Sequence, residues 1–233
     1  MPLIEVCFTP DLYPYYEKKE AIVIIVDILR ASSSICTAFM NGVREIIPVG
    51  SIEEARSYKD KGFMLAAERD GIKLDFADIG NSPHHFKSDI VKNQSVAYST
   101  TNGTKAVKMT KDSHAVIIGS FLNLTSIANW LTEQNRDVVI FCSGWKKKFN
   151  IEDTLYAGAL SSLLLNAGFQ SDCDSTTASV DLWHFASPDL HNYIRKTAWI
   201  KRLGMYDVLD YCFKQDVTDI IPIYQEGRLV PLQ

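Results

Sequence analysis

Residues 21–34, Ala-Ile-Val-Ile-Ile-Val-Asp-Ile-Leu-Arg-Ala-Ser-Ser-Ser, constrain the fold more than any other stretch. The unbroken β-branched run 22–26 has no polar face, so the strand it predicts must be covered on both sides. The composition then changes abruptly to Asp27, Arg30 and a cluster of small hydroxyls. Ile35, Ala38 and Phe39 follow at helical spacing and stop at Asn41-Gly42, a helix-end signal. Asp27 and Arg30 therefore lie where a buried strand emerges and a helix begins, the place where open α/β sheets bind ligands. A second reading stands level with this one: Asp27 as a turn residue, Arg30 as its surface partner and Ser32 as an N-cap.

The same strand-then-helix alternation continues to Gly168. Strands are predicted at 3–9, 22–26, 45–50, 63–67, 94–99, 114–119 and 137–142, and helices begin at Ser51, after Thr104, and at 122–131 and 151–166. Such alternation predicts a three-layer α/β/α fold with a largely parallel or mixed central sheet. The 233 residues suit a single domain, 1–233, that changes character near residue 168. Residues 1–168 form the α/β core, whereas 169–233 read as a more helical segment closed by a terminal strand or hairpin. Between 68 and 83 the chain is expected to leave regular structure in an unusually long loop. Ser82-Pro83 then opens a short helix.

A net charge of −4 with no basic stripe argues against a nucleic-acid protein. No apolar run is long enough to cross a membrane, and the N-terminus has no charged-then-apolar leader. Five scattered cysteines without a C-x-x-C pair fit reduced thiols, so the expected location is cytoplasmic. A homodimer is the default expectation.

Four loops share one design, a strand followed by a polar turn and a helix start: 27–34, 68–82, 100–105 and 142–153. In a parallel sheet all four are expected to converge on one edge. Thr100-Thr101-Asn102-Gly103-Thr104 suits an anion site at a helix N-terminus, although alone it reads as a capped turn. Asn150 is a good N-cap, and Glu152 and Asp153 complement the helix dipole. These carboxylates together with Asp27 also suit a hard divalent cation, because Mg²⁺ needs only one or two carboxylates plus waters and phosphate oxygens. Neither the P-loop nor the dinucleotide fingerprint is present. His84-His85 reads as surface or packing histidines.

Four segments together resemble the 2-phosphosulfolactate phosphatases, or ComB-like proteins. They are Val26-Asp27-Ile28-Leu29-Arg30-Ala31-Ser32; Glu68-Arg69-Asp70-Gly71 with Gly80-Asn81-Ser82-Pro83; Thr100-Thr101-Asn102-Gly103-Thr104; and Cys142-Ser143-Gly144 with Glu152-Asp153-Thr154-Leu155 and Ala157-Gly158-Ala159. The tail from Asp219 to Gly227 also matches. The resemblance implies a magnesium-dependent phosphatase that converts 2-phospho-3-sulfolactate to 3-sulfolactate, a step of coenzyme M biosynthesis in methanogens. The chain departs from the family's usual pattern at Asp70 and at Lys147, where glycines are common.

On this reading the small anionic phosphorylated substrate is acted on by Asp27, Arg30, Glu152 and Asp153. Asp27, Glu152 and Asp153 are the expected Mg²⁺ ligands. Arg30, Arg69 and Lys105 face anionic groups, and Asn81, Ser82, Thr101, Asn102, Gly103, Ser143 and Gly144 complete the substrate and phosphate cradle. The run Lys146-Lys147-Lys148 is either a further anion contact or a solvated surface.

Two rival readings remain in the sequence. One is a metal-independent phosphatase with Cys142 as its nucleophile, in which Lys148 would have to replace the arginine that clamps the phosphoryl group. The other is a non-catalytic binding module for an anionic metabolite. A haloacid-dehalogenase-type mechanism is disfavoured, because Leu29 stands where that class needs its second aspartate.

Overall fold

A computed structural model describes residues 1–69, 72–100, 103–204 and 206–232. Strand β1 (Ile4–Cys7) leads to β2 (Ile22–Val26) and helix α1 (Ala31–Met40). Next come β3 (Glu45–Pro48), α2 (Ile52–Lys59), β4 (Met64–Arg69) and β5 (Ile72–Lys73). The core continues with β6 (Ser95–Ser99), α3 (Gly103–Thr110), β7 (Ala115–Gly119), α4 (Leu124–Gln134), β8 (Val138–Cys142) and α5 (Ile151–Asn166). Four helices follow, α6 (Asp174–Ala186), α7 (Leu190–Arg195), α8 (Ala198–Leu203) and α9 (Tyr206–Cys212), before the hairpin β9 (Pro222–Gln225) and β10 (Arg228–Pro231).

The strands form one sheet in the order β1-β8-β2-β7-β9-β10-β3-β6-β4-β5. Two parallel blocks are visible in that order. One is β1-β8-β2-β7 and the other β3-β6-β4. The terminal hairpin lies between them and pairs antiparallel with β7 on one side and with β3 on the other. Three successive antiparallel steps separate β7 from β3, so the two blocks run in opposite senses. The sheet is therefore mixed, which corrects the single parallel edge, but the four loops come together as expected. Each block brings its own carboxyl edge to the site.

Side-chain alternation explains the layers. Ile22, Ile24 and Val26 of β2 pack with α4 and α5, whereas Val23 and Ile25 face the opposite way. That second face joins Ile46, Val96 and Ala66 of the other block and is covered by Ile35 and Phe39 of α1 and Val107 of α3. The outer face of the second block, Leu65, Ala67 and Ala97, packs with Ala55 of α2. With apolar side chains on both faces, β2 is the double-sided strand that its sequence requires.

The expected irregular loop after residue 67 is corrected in its first part. β4 runs on to Arg69, and Ile72-Lys73 folds back on it, with Glu68 opposite Lys73. Ser51 caps α2 by accepting the Glu54 amide hydrogen bond at 3.0 Å, as its sequence position indicates. The C-terminal part is helical and ends in the hairpin. Among the described residues no helix is long and apolar enough to cross a membrane.

Candidate active site

The β2–α1 loop supplies the first wall. Asp27 follows the last strand residue and is partly buried. One of its carboxylate oxygens accepts the Ala31 amide hydrogen bond at 3.4 Å, and its carbonyl accepts that of Ser32 at 2.8 Å. Asp27 therefore does close the turn, and the Arg30 backbone amide also bonds its carboxylate. Arg30, not Ser32, is the N-cap residue of α1, and no side chain makes the cap bond. Ser32, Ser33 and Ser34 lie inside the helix and are buried. Ser33 Oγ donates to the Ile28 carbonyl at 2.9 Å and lies 3.1 Å from Ser120 Oγ.

The β8–α5 loop supplies the second wall. Ser143 N–H donates to the Val26 carbonyl at 2.8 Å, extending the β2–β8 ladder past the last strand residue. Gly144 has φ +60°, and a Cβ on it would meet the Lys148 carbonyl oxygen at 2.5 Å. Only glycine suits that turn. Trp145 and Lys148 exchange backbone hydrogen bonds around Lys146 and Lys147, both at positive φ. This is a tight two-residue turn of the primed kind.

Asn150 then starts α5, but its side chain caps nothing. Its amide donates instead to Glu152 Oε1 at 3.2 Å and to Asp153 Oδ2 at 3.0 Å. Glu152 and Asp153 are only 2% and 0% exposed, so they are not solvated carboxylates that merely complement a helix dipole. Asp153 Oδ1 accepts the Ile28 amide hydrogen bond at 2.9 Å, and its Oδ2 also accepts that of Gly144 at 3.1 Å. The oxygens Ser143 Oγ and Asn150 Oδ1 are buried without a hydrogen-bond partner.

The second block closes the site from the other side. Ser34 Oγ donates to the Asn81 carbonyl at 2.6 Å, which ties α1 to the 80–83 loop. Asn81 and Ser82 are buried, and Asn81 Oδ1 has no partner. Asp27, Ser32, Pro48, Tyr98 and Thr100 line one shared cavity, so the ends of β2, β3 and β6 meet there. Thr101 and Asn102 lie outside the described residues, as do Asp70 and Gly71. Gly103 starts α3, and the side chains of Arg69 and Lys105 are likewise outside the description.

Burial pushes the Asp27 carboxyl up to about 6, with the charge of Glu68 adding to it and the Ala31 amide and Arg30 opposing. Burial also pushes Glu152 up to about 7, and the Asp27 charge adds to that. Asp153 is raised well above the ordinary carboxylate range by burial and by the charges of Asp27 and Glu152. Asp27, Glu152 and Asp153 thus form one electrostatically linked group. Among the described residues, however, no three His, Cys, Asp or Glu side chains are grouped to share one ion.

Glu68, 4% exposed, joins this group; its stretch is one of the four expected at the site, but the sequence assigns Glu68 itself no role there. The signal that could have found it is its place at the end of a strand, beside Arg69. Cys142 is fully buried at the end of β8, and burial holds its thiol well above the usual range. A cysteine nucleophile must be an accessible thiolate, so this geometry counts against that rival. The three lysines are exposed; Lys147 pairs with Asp11 at 3.2 Å and Lys146 lies over the Trp145 ring. His84 and His85 are exposed, with the His84 ring 6.1 Å from that of Tyr211.

A family model described as 2-phosphosulpholactate phosphatase matches residues 7–227. A relative from Caldanaerobacter subterraneus subsp. tengcongensis is 35% identical over 90% of this chain and 90% of its own length. One from Clostridium novyi is 33% identical over 91% of this chain and 92% of its own, and one from Clostridium beijerinckii 30% over 97% and 98%. All three carry the name probable 2-phosphosulfolactate phosphatase.

Proposed function

Because the chain belongs to the 2-phosphosulfolactate phosphatase family and is a phosphomonoester hydrolase, we propose that it releases phosphate from 2-phospho-3-sulfolactate in a Mg²⁺-dependent reaction. The observation that carries the reading is the buried carboxylate group at the meeting of the β2–α1 and β8–α5 loops. Phosphate monoesters hydrolyse extremely slowly unaided, so a site must neutralise the phosphoryl oxygens and place a nucleophile. A buried cluster of like charges without a dication would repel that substrate.

The donor set fits magnesium. Every candidate is a hard oxygen: Asp27, Glu152, Asp153, and the partnerless Ser143 Oγ and Asn150 Oδ1. Asp27 and Glu152 are enough carboxylate for an ion that keeps several waters and takes phosphate oxygens. When bound, the ion would act as a Lewis acid on the phosphoryl group and lower the pKa of an attacking water.

The chain's own residues do the rest. Asp27 stands at the strand end as nucleophile or as ligand, with one oxygen fixed by Ala31 N–H. Arg30 brings a cation to the start of α1, beside Asp27. Arg69, Lys105 and residues 101–103 remain our candidates for the substrate's further anionic groups, as do Asn81 and Ser82. The experiment is a panel of phosphorylated three-carbon acids, with and without the sulfonate, assayed with Mg²⁺ and again with EDTA. Preferred turnover of the sulfonated ester that chelation abolishes supports the proposal. Binding without phosphate release, or turnover that survives EDTA, contradicts it.

A further inference from the structure

Asp153 has so far been paired with Glu152 as a candidate ion ligand, but the two neighbours on α5 are held in different ways. Glu152 is held within its own turn, by Asn150 Nδ2 at 3.2 Å and by the backbone amides of Ile151 and Glu152, and it lies beside Asp27. Asp153 has both oxygens occupied by three donors from two loops: Ile28 N–H at 2.9 Å, Gly144 N–H at 3.1 Å and Asn150 Nδ2 at 3.0 Å. A carboxylate has about four acceptor positions, and here three are filled. Ligating a cation through the same oxygens would compete with these three donors around a side chain that is 0% exposed.

The identity of those amides says what the contacts achieve. Ile28 is the residue after Asp27, and Gly144 the residue after Ser143. One side chain therefore fixes the backbone of both loops where each carries its site oxygen. The Ser143 N–H to Val26 carbonyl bond closes the same junction from the strand side. Asn150 completes the division, since its single amide group bridges Asp153 to Glu152.

We infer that Asp153 is a positioning residue, a clamp that sets Asp27 and Ser143 relative to Glu152 and does not itself bind the ion. The inference refines the proposed Mg²⁺ site and rests on that reading only for the identity of the ion. The clamp exists without the ion and can be measured without it.

The test is amide hydrogen exchange at Ile28 and Gly144, with Mg²⁺ affinity measured by calorimetry. In the wild-type protein in EDTA both amides should already be protected, and Mg²⁺ should change their exchange less than about threefold. In D153N one oxygen becomes an NH₂ donor that cannot accept, so at least one of the two amides should exchange at least about tenfold faster. In E152Q both should stay protected while Mg²⁺ affinity falls more than in D153N. The inference is overturned if the two amides are protected only when Mg²⁺ is present, or if D153N leaves both protected and weakens Mg²⁺ at least as much as E152Q does. Should D153N not fold, the wild-type exchange with and without Mg²⁺ decides alone. A clamp that passes in a protein that releases no phosphate would contradict the proposed function and leave the clamp standing.

Discussion

Gly158 of α5 faces the Ser179 carbonyl of α6 so closely that a Cβ on Gly158 would stand 2.0 Å from that oxygen. The obstacle is backbone, which no rotamer change can move. Glu152 and Asp153 lie in the first turn of α5, so the helix that carries half of the carboxylate group is seated by this contact.

G158A should therefore force α5 and α6 apart. Overpacking of this kind costs about 3 kcal/mol or more. The measurement is the thermal midpoint, which should fall by roughly 6–12 °C for a domain of this size. A midpoint within 1–2 °C of wild type would show that the helices are not packed this closely.

Cys142 is fully buried in the apolar face shared with α5. C142A removes only a small buried group, at a cost of about 1 kcal/mol. Phosphate release should remain within about threefold of wild type, and the native thiol should resist alkylation. Loss of nearly all activity in C142A, with the fold intact, would restore the cysteine mechanism.

Lys147 has φ +64°, a left-handed conformation that costs a residue with a Cβ about 1 kcal/mol. Its ion pair with Asp11 is exposed on both sides and contributes little. K147G should leave the turn in place and raise the thermal midpoint by about 2 °C. A clear fall would mean that the Lys147 side chain contributes more than its conformation costs.

The carboxylate group sets a pH dependence with a definite sign. Asp27 and Glu152 are pushed up to about 6 and about 7 in the folded chain, above their ordinary values of 3.8 and 4.5. The folded state therefore holds these protons more tightly than the unfolded state. Stability from these groups is full below about pH 4 and is lost as pH rises through 6 and 7. In EDTA, lowering the pH from 7.5 to 5.5 should raise the thermal midpoint, or offset part of any fall from other groups. Mg²⁺ binds the ionised forms and should shrink that contribution. Equal pH profiles with and without Mg²⁺, for wild type and for E152Q, would contradict the linkage.

Local signals in the sequence were enough for much of the core. The run 22–26 and the helix 151–166 appear in the structure with the boundaries expected, because each rests on short-range chemistry: β-branching in one, an Ala- and Leu-rich helix in the other. The β4–β5 pairing was missed because it joins only two residue pairs and Ile72 is exposed, leaving no alternation to detect. The opposed sense of the two blocks depends on where β9 and β10 insert, and no local pattern encodes that. Asn150 reads as an N-cap by residue type, yet buried carboxylates beside it take its amide instead. The place of Glu68 beside Asp27 comes from the same long-range packing.

The central claim is that Asp27 does chemistry and does not merely close a turn. Asparagine keeps the shape of aspartate and can still accept the Ala31 hydrogen bond, but it loses the charge that a hard cation or a nucleophilic attack requires. The most direct test measures thermal midpoint and Mg²⁺-dependent phosphate release on one preparation of D27N. The predicted result is a protein that stays folded, with turnover reduced at least about 10³-fold. A folded variant that keeps most of its activity would remove Asp27 from the site and contradict the account.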